Sequence, residues 1–153
     1  MTPHHHEPSH RRVDLGQDEA LRLLGSVSLG RVVFTRQALP AVRAVRHVLD
    51  SGDIVVLAHD AAALAPRAPR SGDAGVIVAY EADAIDPDTH LGWSVVVTGY
   101  AHLVSDPAEL GRLYGLSWPE APMEGGEQAV RIHPELVTGV LVTESGGAPR
   151  AAR

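Results

Sequence analysis

Along this chain apolar and polar positions alternate more often than they recur at helical spacing. The first periodic stretch is helical: Ala20, Leu23, Leu24 and Val27 follow i, i+3, i+4, i+7 spacing from Gln17 onward. Asp18 and Glu19 sit in its first turn, where carboxylates complement the helix dipole, and Gly25 ends it. A strand is predicted over Gly30–Thr35, followed by turn-like residues up to Leu39 and Pro40. Leu39–His59 then reads as two strands joined at Asp50-Ser51-Gly52-Asp53, with Gly52 free to take φ > 0. On the first of these strands, period 2 puts Ala41, Arg43, Val45, His47 and Leu49 on one face and Val42, Ala44, Arg46 and Val48 on the other. Cations on both faces of an otherwise apolar strand are costly unless one face meets water, an anion or a partner chain. The second strand, Ile54–Leu57, does not alternate and is expected to be buried on both faces.

Asp60–Leu64 suits a short Ala-rich helix. Pro66–Asp73 cannot continue it and makes a partly basic loop. Gly75–Glu81 is a further strand, and Asp83–Leu91 a polar connection. Gly92–Val104 carries the longest alternation in the chain, with Gly99 marking a bulge or a close backbone approach. Asp106 and Pro107 open a second helix as N-cap and first helical residue, running to about Tyr114. Trp118–Gly126 reads as loop. Gln128–Ile132 and Leu136–Thr143 are the last strands, broken at Pro134. Seven strands, two helices and no regular βα alternation predict a mainly β protein, an antiparallel barrel with flanking helices.

Composition narrows the function. The 153 residues suit one domain, expected over residues 13–143 between a disordered His-rich tail (1–12) and a flexible tail (144–153). With one Phe and two Trp, the core must be built from Val, Leu, Ala and Ile, and the absence of Cys removes disulfides, thiolate metal sites and thiol nucleophiles. A net charge of −6 argues against nucleic acid as the main partner. No apolar run approaches the ~20 residues of a membrane span. The N-terminal residues lack a signal-peptide core, so a cytoplasmic protein is expected. His4, His5, His6 and His10 could ligate a transition metal, but a solvated tail is the reading taken and no metal is assigned.

Motifs with strong mechanical meaning are missing. There is no GxGxxG or GxxxxGK[ST], and no G-x-S-x-G elbow surrounds Ser94. His47, His59, His90, His102 and His133 are scattered without HExxH spacing, and Asp83, Asp86 and Asp88 lack the rest of an EF-hand loop. What remains from the residues alone is a small β-barrel whose cationic hairpin, with Arg43, Arg46 and His47, suits an anionic ligand such as a phosphate.

The succession LGRVVFT, LPAVRAVRHVLDSGDIVV, VAYEADAID, GWSVVVTGYAHLVSDPAEL and VRIHPELVTGVLV resembles the pyridoxamine 5'-phosphate oxidase-like family over Val13 to Thr143. The resemblance implies an antiparallel split β-barrel of the FMN-binding type and a homodimer with its sites at the interface. It places Arg43, Val45 and His47 near the flavin ring, with Arg46 adjacent. Trp93 and Ser94 match the family's Trp-Ser pair near the ribityl-phosphate. Leu57, Ala58 and His59 end the second strand, where many relatives grip the phosphate with Arg-Thr. An aliphatic pair offers only backbone groups there, which leaves Arg46, Arg67 and Arg70 as the cations able to compensate. The implied function is FMN binding, with a flavin-dependent oxidoreductase acting on a small molecule as the leading expectation and its catalytic residues unassigned. The alternative is a homologue that has lost FMN and serves as a non-enzymatic binding or regulatory module, or takes another anionic cofactor such as a deazaflavin or haem.

Overall fold

The computed structural model describes residues 9–58, 61–65, 75–117 and 128–145. Its elements in chain order are β1 (His10–Leu15), α1 (Gln17–Gly25), β2 (Leu29–Arg36), β3 (Leu39–Asp50), β4 (Asp53–Ala58), a single 3-10 turn (Ala61–Ala63), β5 (Val76–Ile85), β6 (Gly92–Val104), α2 (Pro107–Ser117) and β7 (Gln128–Glu144). The strands form one antiparallel sheet in the order β1-β7-β4-β3-β2-β5-β6, and β6 pairs again with β7. That second pairing closes six strands into a barrel and leaves β1 flanking the far half of β7. No helix among the described residues is long and apolar enough to cross a membrane.

The barrel interior is filled by the inward residues of its six strands, including Val32, Phe34, Val45, Ile54, Val56, Tyr80, Val95, Val97 and Ile132. Helix α1 adds Ala20 and Leu24 to this core. A second, smaller cluster lies on the outer face of β4, where Leu110, Leu113 and Tyr114 of α2 cover Val55 and Leu57 beside Val104 and Ala129. The expected burial of β4 on both faces is thus met by the barrel on one side and α2 on the other. Asp106 caps α2 as expected, accepting from the Ala108 N–H at 3.2 Å.

Several boundaries differ from the sequence pattern for identifiable reasons. Strand β1 takes in residues 10–12, assigned above to the tail, because its ladder to β7 needs only backbone groups and its side chains stay largely exposed. The two expected final strands are one. Pro134 lies opposite Gly99 at a register shift, past the end of the β4 pairing and before the β1 pairing begins, so neither of those ladders needs its N–H. A side chain at Gly99 would run into the His133 carbonyl, so Gly99 marks both the bulge and the close approach expected of it. The β2–β3 turn is made by Gln37 (φ 51°) and Ala38 (φ 62°), a two-residue hairpin without the usual Asn or Gly. Strand β5 continues to Ile85, which carries Asp83 out of the expected loop and into the sheet. The expected helix at Asp60–Leu64 is reduced to the 3-10 turn, Asp60 lying outside the described residues.

Candidate functional site

Register fixes what the outer surface of the barrel presents. One row of cross-strand partners runs Val42, Val33, Ala79, Thr98, Leu136 across β3, β2, β5, β6 and β7. With Ile77 and Val96 beside it on the same face, it forms an apolar band in which Val42, Ile77 and Leu136 are 63%, 64% and 61% exposed. The next row is Ala44, Arg31, Glu81, Val96, Thr138. In it Arg31 bonds Glu81 at 3.2 Å and reaches Asp83 at 3.6 Å.

Beyond this row β2 and β5 part, since their ladder ends at Arg31 and Glu81. A cleft of about 900 Å³ opens there. Leu29 stands on one lip and Asp83 on the other, with Arg22, Ser26, Ser28, Val48 and Leu116 around it and His47 at its floor. Leu29 is the cross-strand partner of Arg46, which pairs in turn with Leu57, while Asp83 pairs with Ser94. Arg46 and Ser94 therefore lie one strand removed from the split, on either side of it.

Of the other residues expected to face a ligand, His47 lies at the floor of this cleft, and the rest of those described are turned toward the barrel core or covered by α2. Arg43, Val45 and His47 lie on the inward face of β3: Val45 joins the core, and the Arg43 guanidinium stands over the Phe34 ring at 5.7 Å. Trp93 and Ala58 pack against the same core. Leu57 faces outward but is 7% exposed, sealed beneath α2. The first strand's charged residues sit at both parities, and only closure of the barrel decides which parity faces in. His59, Arg67 and Arg70 lie outside the described residues, as do His4, His5 and His6.

His47, 2% exposed, is a structural residue with a defined tautomer. Its Nε2 contacts the Leu24 carbonyl at 2.8 Å, which can only accept, so Nε2 carries the proton. Nδ1 then accepts the Tyr80 hydroxyl. Burial holds the imidazole below its ordinary pKa, against the opposing effect of backbone contacts to Leu24 and Val27, and keeps it neutral. A Cβ at Gly30 would collide with that same Tyr80 hydroxyl, which explains the glycine in β2.

A second ionic cluster ties α2 to the β3–β4 turn. Arg131 of β7 donates to Asp50 at 2.8 Å, Asp53 at 3.1 Å and Glu109 at 2.8 Å. Arg112 makes a two-pronged contact with Asp50 at 3.0 and 2.9 Å, and His133 meets Asp53 at 2.9 Å. Hydrogen bonds from Arg112 and Arg131 hold the Asp50 carboxyl well below the usual carboxylate range. Burial works against the charge of Arg131, but its three carboxylate partners outweigh that and raise its pKa. Among the described residues no group of three or more His, Cys, Asp or Glu side chains is arranged to hold a metal ion.

The closed antiparallel barrel with two flanking helices is of the split β-barrel class. The profile of the pyridoxamine 5'-phosphate oxidase family matches residues 16–141, and the chain belongs to that family. An uncharacterized protein of Mycobacterium tuberculosis is 47% identical over 137 residues, 90% of each chain. Among solved structures, a provisionally assigned pyridoxamine 5'-phosphate oxidase from Corynebacterium glutamicum superposes with a TM-score of 0.68 at 29% identity, over 88% of this chain and 100% of that one. An FAD-binding protein from Mycobacterium smegmatis gives 0.64 at 26% identity, over 86% and 100%.

Arg31 and Glu81 escaped the sequence reading, and Asp83 was weighed there only as part of a loop of aspartates. Their signal was present in Glu81-Ala82-Asp83, two carboxylates at i, i+2 and hence on one strand face, but it is legible only once β5 is known to run past Glu81.

Proposed function

We propose that the protein is a homodimeric flavin-binding protein of this family, with the flavin ring in the cleft where β2 and β5 part and a second copy packed on the adjacent apolar band. The observation that carries this reading is the adjacency of the two features on one outer wall: an exposed apolar band, a row of paired charges, then a cleft of about 900 Å³. That volume is within the range of ligand pockets, roughly 300–1,000 Å³. The lips supply apolar contact through Leu29, Val48 and Leu116, and polar contact through Ser26, Ser28 and Asp83. Flavin binding by the Mycobacterium smegmatis relative supports the same ligand class here.

FMN is the form proposed, and when bound it supplies the electron-transfer chemistry of an oxidoreductase acting on a small molecule. The protein's part is to hold and orient it. Its phosphate has no partner at Leu57 or Ala58, because one is sealed under α2 and the other faces the core. Arg46 beside Leu29, and Arg22 at the cleft edge, are the described cations on the cleft side of the wall.

Purified protein is expected to show the visible absorption of an oxidised flavin, or to gain thermal stability when FMN is added, since a ligand that binds only the folded state raises its apparent stability. It is expected to sediment as a dimer. Colourless protein that ignores added FMN overturns the flavin reading. The sealed, aliphatic end of β4 would then favour the second reading, a binding or regulatory module on the same barrel without flavin.

A further inference from the structure

We infer that the open edge of β1 pairs antiparallel with β1 of a second copy of the chain, in the register that sets Val13 opposite itself. The pairing stands on β1 alone and is independent of the cleft and of what the cleft binds. Strand β1 ends the sheet order, and among the described residues it pairs only with β7. Alternate residues of such a strand aim their backbone N–H and C=O groups away from the sheet, where another strand can take them. The ladder to β7 fixes which ones. Ser145 donates its N–H to the Ser9 carbonyl at 2.7 Å, so Ser9, Arg11, Val13 and Leu15 turn their backbone groups toward β7. His10, Arg12 and Asp14 turn theirs to the open edge.

The side chains on that edge decide the partner. Arg12 and Asp14 are two residues apart, hence on one face of the strand, and both are exposed. Among the described residues neither has an ion-pair partner. A two-fold axis normal to the sheet keeps each face on its own side, so two antiparallel copies can oppose only residues of equal parity. Two registers keep nearly the whole strand paired. With Arg12 opposite itself, two guanidinium groups meet. With Val13 opposite itself, Arg12 meets Asp14 of the second copy and Asp14 meets Arg12 of the second copy, and each pair also exchanges backbone hydrogen bonds. Only the second register brings opposite charges together.

Charged side chains commonly blunt a sheet edge by repelling another strand. An edge of one sign would do that here, but Arg12 and Asp14 cancel each other across the two-fold axis. An acidic peptide strand would suit Arg12 and oppose Asp14, and a basic one the reverse, so the partner that fits both is a second copy. The contact is small, one six-residue strand from each copy, and therefore forms at high protein concentration. Where the apolar band holds a dimer, the β1 edges join two dimers into a tetramer.

Sedimentation velocity of the full-length protein at rising concentration tests the pairing. Wild type is expected to double its mass, from dimer to tetramer, or from monomer to dimer if the band holds no dimer. Arg12→Asp and Asp14→Arg each set like charges opposite each other and are expected to weaken this step at least about tenfold. The exchange Arg12→Asp/Asp14→Arg restores opposite charges and is expected to return it to within about threefold of wild type. Disulfide formation reads the register, since the chain has no Cys. Partners in a non-hydrogen-bonded pair lie about 4.5 Å apart, Cα to Cα, within disulfide range. Val13→Cys is therefore expected to cross-link two copies under mild oxidation. Arg11→Cys is expected to do so at least about tenfold more slowly, its two copies lying beyond the roughly 7 Å limit. A mass independent of concentration, single reversals without effect, or an exchange that fails to restore association overturns the inference. So does association that Ile77→Glu abolishes and Asp14→Arg leaves untouched, which assigns all of it to the band.

Discussion

At the scale of single residues, this barrel carries titratable groups whose effects on stability run in opposite directions. Glu81 has its pKa raised to about 7, so the folded state holds a proton that the unfolded chain releases near the ordinary glutamate value. Its contribution to stability is present at low pH and is lost as pH rises through 7. His47 has its pKa depressed by burial, so its contribution is present above the ordinary histidine value of about 6.5 and is lost as pH falls below it. The two oppose each other between roughly pH 4.5 and 7. Glu81→Gln removes one of them, and its melting temperature is expected to drop more steeply than that of wild type from pH 7 to pH 5. Equal slopes by differential scanning fluorimetry would contradict the assignment. Tyr80→Phe leaves the unprotonated Nδ1 of His47 buried without its donor, with an expected cost of about 1–3 kcal/mol in urea unfolding.

At the scale of elements, α2 is what distinguishes the β4 corner. Its apolar face and the Arg131 cluster together hold it over Leu57. Arg131, at 12% side-chain exposure, bridges Asp50, Asp53 and Glu109. Arg131→Met is expected to destabilise the fold by about 2–4 kcal/mol, since three carboxylates lose a shared partner while Arg112 and His133 remain. Asp50 contributes its stability above the ordinary aspartate pKa and loses it as the solution is acidified well below that value, so Asp50→Asn matters at neutral pH and converges on wild type in strong acid. Restoring an arginine at the end of β4 is not expected to restore a phosphate grip. Leu57→Arg places a guanidinium in the cluster of Leu113, Val104 and Ala129, and a loss of about 3 kcal/mol or more is expected, without tighter FMN binding.

At the scale of the whole molecule, the apolar band and the cleft belong to one wall, so assembly and ligand binding are expected to be coupled. Ile77→Glu and Leu136→Glu, each placed in the band, are expected to shift the protein from dimer to monomer in sedimentation velocity and to weaken FMN binding in the same samples. A dimer unaffected by both changes would locate the interface elsewhere.

How much of this was legible beforehand follows from the range of the interactions involved. Helix α1, the cap of α2, the Ser51-Gly52 turn and the double burial of β4 depend on neighbours a few residues away, and the chain displays them openly. The family could also be recognised from ordered segments. The one-piece β7 could not, because Pro134 is harmless only where neither β4 nor β1 pairs with it. Nor could the wall be assembled in advance: Arg31 lies some fifty residues before Glu81 and Asp83, and they meet because strand order and register bring β2 beside β5. The sequence by itself determined a mainly β chain with charge on both faces of one strand. Only barrel closure decided that His47 goes inside, that Leu57 is covered and that the charged pair beside the cleft joins β2 to β5, since a face is defined by what packs across it.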